Sequence, residues 1–137
     1  MTDWVKKFFK AGLQRLNAAE ALYDLGGLEL DALYLGGYAV ECSMKSIILK
    51  QVPHSKRQPF LKHFSGQRAH DIEFLKHLWK QNRCEPLPKS LAKSLPGFVS
   101  CWSTDLRYEV GRGNAEDTAN SLEFARNFVV WVQERIE

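Results

Sequence analysis

The sequence predicts an all-α fold, an antiparallel up-and-down bundle of four to five helices. Apolar residues recur at three- and four-residue steps over long segments, and glycine or proline punctuates the chain between them. No stretch shows the two-residue alternation of a half-buried strand. The chain has 137 residues, of which 45% are hydrophobic and sixteen are Phe, Tyr or Trp, enough for one core and one domain spanning residues 1–137.

The first element runs from about Asp3 to Leu25, with Trp4, Phe8, Leu13, Leu16, Ala19 and Leu22 on its apolar face. Thr2 or Asp3 can cap its start, and Gly26 and Gly27 end it. A second helix covers about Glu29 to Gln51 and is apolar over much more than one stripe, which makes it the central, most buried element. Gly36 and Gly37 inside it are costly in an exposed helix, so they point to close approach of a neighbouring helix.

Pro53 stops the second helix, and Pro59 and Gly66 are expected to keep about Val52 to Ala69 largely irregular. His70 and Asp71 open a third helix, which carries Ile72, Leu75, Leu78 and Trp79 on one face and ends near Asn82. Between about Lys89 and Trp102 lies one helix with an irregularity at Pro96, or two short ones. Asn114 caps a strong final helix, with Glu116 and Asp117 in its first turn and an apolar set from Ala119 to Ile136.

The net charge of +3 is modest but unevenly placed. No acid occurs from Cys42 to His70, a stretch that contains Lys45, Lys50, Lys56, Arg57, Lys62 and Arg68, with His54 and His63 between them. It reads either as a solvated basic loop or as a surface for phosphate or an acidic partner. Cys42, Cys84 and Cys101 are scattered and odd in number, so they suggest neither a zinc site nor a disulfide framework, and they fit buried groups in a reducing cytosol. The amino terminus has frequent charges and no apolar run, so the expectation is a cytoplasmic protein without a leader or membrane span.

Several residues are candidates for chemistry. Glu41 and Lys45 stand four apart in the favourable orientation for a helix ion pair. His70 and Asp71 read as a helix-start cap or as a reactive pair. Arg107, Tyr108 and Arg112 cluster on a turn, with Trp102 and Asp105 upstream, where guanidinium planes and an aromatic face suit phosphates and bases. Alternatively, Arg107 pairs with an acid such as Asp105 or Glu41, and the Tyr108 ring packs into the core.

Three segments in order resemble the HEPN superfamily of nucleotide-binding helical domains. They are Tyr34-Leu35-Gly36-Gly37-Tyr38-Ala39-Val40-Glu41-Cys42-Ser43-Met44-Lys45, then His70-Asp71-Ile72-Glu73-Phe74-Leu75, then Leu106-Arg107-Tyr108 before a last amphipathic helix. The resemblance implies a HEPN-like bundle in which Glu41 and Lys45, with His70 and Asp71, belong to a polar cleft. It also implies a homodimer, no cofactor or metal, and a small nucleotidyltransferase as a possible partner in a toxin-antitoxin or defence system.

Catalytic members of that family resemble metal-independent ribonucleases, with an Arg, four to six residues, then a His. The His moves the ribose hydroxyl's proton, and the Arg stabilises charge on the phosphate. Arg107 falls where such a motif begins, but Arg112, Gly113 and Asn114 stand where its His would be, and no His follows His77. Arg57 and His63 match the spacing by letter, inside the basic loop. The expectation is therefore a non-catalytic module that binds nucleotide, RNA or a partner through Arg107, Tyr108, Arg112, Lys56, Arg57 and Lys62. A ribonuclease using Arg107 or the Arg57 and His63 pair is the alternative, and an oligomerising scaffold a third.

Overall fold

The structure, a computed structural model, describes residues 2–137 and is all-helical, with no strand among the described residues. Its helices are α1 (Trp4–Leu25), α2 (Glu29–Gln51), the single turn α3 (Arg57–Phe60), α4 (Ile72–Gln81), α5 (Lys89–Cys101) and α6 (Ala115–Ile136). None is long and apolar enough to cross a membrane.

Side-chain caps set three of the starts. Asp3 accepts from the Lys6 amide at 3.3 Å, Asp71 from the Glu73 amide at 2.9 Å, and Asn114 from the Asp117 amide at 3.0 Å. Each satisfies an amide that the first helical turn leaves without a partner. Residues 89–101 form one helix with Pro96 inside it, where the missing N–H leaves the Ala92 carbonyl without its usual helical donor.

Two expectations need correction. The buried ridge of α1 is Val5, Phe9, Gly12, Leu16 and Ala19, while Trp4, Phe8, Leu13 and Leu22 flank it half-buried. Gly12 decides this orientation. A Cβ there would come within 3.0 Å of the Ala39 carbonyl and 3.2 Å of the Cys42 Cβ, so the two backbones touch where glycine permits it. The stretch from Val52 to Ala69, expected to be largely irregular, is instead a chain of short helical turns: His54–Lys56, α3, Leu61–Phe64 and Gln67–His70. Pro59 fits inside α3 because a first-turn residue needs no helical N–H. Phe60, Leu61 and Phe64 pack these turns onto the core, with Phe64 edge-on to Phe8 at 5.5 Å between centroids.

α2 lies at the centre, in contact with α1, α4 and α6. Gly36 faces Leu122 of α6, and a Cβ added at Gly37 would fall within the Trp102 indole. Both glycines are buried, as close helix approach requires. On the far side, Phe98, Phe124, Phe128 and Trp131 form a run of near-parallel rings at 5.1 to 6.2 Å, and Trp79 stacks on Trp131.

Gly37→Ala is expected to destabilise the fold by about 1–3 kcal/mol or more, because the added methyl would overlap the buried Trp102 indole. Gly97→Ala, in α5 with open space around its Cβ, is expected to stabilise by about 0.5–1 kcal/mol. Urea unfolding followed by circular dichroism measures both, and equal effects would contradict this packing.

Candidate functional site

Tyr34, Tyr38, Glu41 and Lys45 are spaced four, three and four apart, so α2 presents them along one face. Burial along that face forces its charges to pair. The Lys45 ammonium donates to the Glu41 carboxylate at 2.8 Å, with the two side chains only 6% and 3% exposed. Phe64 from the basic segment lies 5.9 Å from the ammonium and helps to shield it. Glu41 and Lys45 are therefore a buried ion pair.

His70 completes this arrangement. Its Nδ1 lies 3.2 and 3.1 Å from the two Glu41 oxygens, so Nδ1 carries a proton and donates it to the carboxylate. That fixes the ring orientation and leaves Nε2 as the free nitrogen of a side chain that is 44% exposed. His70 and Asp71 part company here: Asp71 caps α4, and His70 joins the cleft.

Aromatic groups build the next wall. The Tyr38 ring stands edge-on to His70 at 6.2 Å and edge-on to Trp102 at 5.5 Å. The Tyr34 and Tyr38 hydroxyls lie 3.2 Å apart, and the Trp102 indole N–H donates to the Tyr34 carbonyl at 3.0 Å. Burial pushes the Tyr38 phenol above its ordinary range, helped by the Tyr34 hydroxyl and the Glu41 charge, while Arg107 acts in the opposite direction. Tyr38 is thus a neutral hydrogen-bond donor at physiological pH. Beside His70 a recess of about 270 Å3 opens between the start of α4 and the Trp102–Thr104 segment.

Arg107 sits on the 104–108 turn with its guanidinium 4.7 Å from the centre of the Tyr108 ring, and it has no salt bridge among the described residues. The alternative of a pairing with Asp105 or Glu41 is not met. Nor does Tyr108 pack into the core: it is 72% exposed.

Other candidates are committed elsewhere. Arg112 makes a two-pronged pair with Glu29, Nε and Nη2 each at 2.9 Å from a carboxylate oxygen, which pins the 109–114 segment to the start of α2. Arg57 donates to the carbonyls of Val52 and Lys50 at 3.0 and 2.9 Å and so caps the end of α2. His63 lies against the Phe60 ring instead of Arg57, at 4.7 Å, so the structure does not assemble the Arg57 and His63 pair. Lys56 and Lys62 are exposed.

The sequence reading missed Tyr34, Tyr38 and Trp102 as members of the cleft and Glu29 as the partner of Arg112. The first two had a signal, because their spacing continues the Glu41 and Lys45 stripe. Trp102 and Glu29 meet their partners across 68 and 83 residues, and no local pattern carries that.

Among the described residues no three His, Cys, Asp or Glu side chains converge as metal ligands. Burial pushes the Cys42 and Cys84 thiols up to about 11, which keeps both protonated and weakly reactive. Compared with models of protein families, with curated proteins and with solved structures, the chain matches none of them.

Glu41→Gln leaves the Lys45 ammonium buried without its counter-charge and is expected to cost about 3–5 kcal/mol. The double variant with Lys45→Met is expected to recover much of that loss; a double-mutant cycle in urea checks the coupling, and additive losses would rule it out.

The Arg112 guanidinium holds the Glu29 carboxyl down to about 2 from an ordinary value of 4.5. Folding thereby favours the ionised form, so this contribution is complete above the ordinary value and fades as the pH falls toward 2. The stability gap between the wild type and Arg112→Ala is therefore expected at pH 6 and should close between about pH 4.5 and 2, as read from urea midpoints across that range.

Proposed function

We propose that the chain is a HEPN-like helical module that binds a nucleotide or single-stranded RNA through its phosphate at the cleft beside His70. The observation that carries this reading is an exposed arginine without an acidic partner among the described residues, Arg107, set beside a tyrosine face and close enough to bias Tyr38 electrostatically. Such a guanidinium keeps its donors for a phosphate, and the exposed Tyr108 ring offers a surface for a base. Neutral Tyr38 and the free Nε2 of His70 add polar contacts along the same wall. The resemblance of the three sequence segments gives this reading its family, and a homodimer or a small nucleotidyltransferase partner belongs to the same proposal.

One observation favours a second reading, a metal-independent ribonuclease. A buried carboxylate that fixes a histidine tautomer is the arrangement a general base needs. His70 Nε2 would take the proton of a ribose 2′-hydroxyl as its oxygen attacks the adjacent phosphorus, while Arg107 would stabilise the phosphate charge. The P–O5′ bond would break as the 2′,3′-cyclic phosphate forms, and the departing 5′-oxygen would take a proton from water. In this reading His70 takes the role of the histidine that the segment after Arg107 lacks.

Fluorescence anisotropy with labelled single-stranded RNA tests the first reading. Arg107→Ala is expected to weaken binding about equally across sequences and to reduce the salt slope by about one, while Arg112→Ala changes the slope little. Equal binding by the wild type and Arg107→Ala would sink the proposal. The same RNA incubated with chelator decides the second: cleavage by the wild type that His70→Gln abolishes, with binding intact, establishes the nuclease, and absence of cleavage removes it.

A further inference from the structure

A cavity of about 500 Å3 opens between the second half of α4, the 84–87 linker, α5 and α6, and it shares no lining residue with the recess beside His70. Val40 and Met44 of α2 and Phe124 and Phe128 of α6 form its buried floor, while Trp79 and Leu95 stand at its sides. α2 therefore serves two sites. Val40 and Met44 face this cavity, and Glu41 and Lys45, one position on, face the polar cleft.

Its size lies in the range of small-molecule sites, and its walls give water few hydrogen-bonding partners. The charged side chains that line it have one sign. Lys76 and Lys80 line it and no carboxylate does. Lys80 has no salt bridge among the described residues, and the only one Lys76 makes is at 3.5 Å to Glu73, a largely exposed side chain. The remaining titratable group, Cys84, stays a neutral thiol. Lysine places its methylene stem along apolar walls and keeps its ammonium at the mouth, so these two cations sit where the head of an apolar ligand would emerge.

We propose that this cavity binds a small apolar carboxylate, its hydrocarbon body on the Met44, Phe124 and Phe128 floor and its carboxylate on Lys80 and Lys76. The site owes nothing to the His70 cleft, and the two can fail separately.

The test is isothermal titration calorimetry of the full chain with octanoate and, separately, with 1-octanol, which has the same body without the charge. Octanoate is expected to bind saturably. Lys76→Gln/Lys80→Gln, which keeps the stems and removes both charges, is expected to weaken octanoate about tenfold or more and to leave octanol unchanged. Ala92→Trp, an exposed position on the cavity wall, is expected to block both ligands, with circular dichroism confirming the fold. Octanol binding as tightly as octanoate, or octanoate indifferent to the lysine changes, overturns the anion assignment. Binding indifferent to Ala92→Trp, or no saturable binding at all, overturns the site.

Discussion

Glu41 is a carboxylate that the fold has taken almost wholly out of water. A charge in that position persists only where opposite charge and hydrogen bonds replace its hydration. Lys45 supplies the charge from the next turn of the same helix, and His70 supplies a ring N–H from the Gln67–His70 turn that leads into α4. Each partner constrains a further element. Lys45, being buried, needs the aromatic cover that Phe64 provides, which brings the basic segment down onto the bundle. His70, at the end of the Gln67–His70 turn, ties the approach to α4 to Glu41 of α2, and Tyr38 packs against its ring.

α2 can host this arrangement because its other faces are closed by small residues and apolar contacts. Gly12 lets α1 rest on the backbone of α2, and Gly36 and Gly37 admit Leu122 and Trp102. Trp102 then holds the Tyr34 carbonyl, stacks on Phe98 and stands against Tyr38. One indole thus joins the helical core to the turn that carries Arg107. The exposed arginine stands on a short 3-10 turn, but Trp102, two positions before that turn, is buried.

Much of the helical architecture was legible in local sequence because helix ends are chemically marked. Asp3, Asp71 and Asn114 cap helices as their side chains suggest, and the paired glycines of α2 mark close approach as their cost suggests. The register of α1 was not legible, because Trp4 and Phe8 look like core residues and only the contact of Gly12 with Ala39 and Cys42 turns the helix away from them. The basic segment misled for a related reason: Pro59 breaks a long helix and yet sits without conflict in a single turn. In the candidate site, Glu41, Lys45, His70 and Arg107 were all singled out by residue type. Their grouping was not, because Arg57 and Arg112 look equally suited to phosphate until Lys50, Val52 and Glu29 are seen to occupy them.

The sequence separations across the cleft bear on how the protein comes into being. Glu41 meets His70 across 29 residues, Tyr34 meets Trp102 across 68, and Glu29 meets Arg112 across 83. A chain emerging from the ribosome can form α1 and α2 early, but it cannot close the aromatic wall before Trp102 has been made or anchor the 109–114 segment before Arg112 has. Whatever the cleft does is therefore withheld from partly synthesised chains, and a product truncated before Trp102 would carry the buried charges without the wall that completes their site.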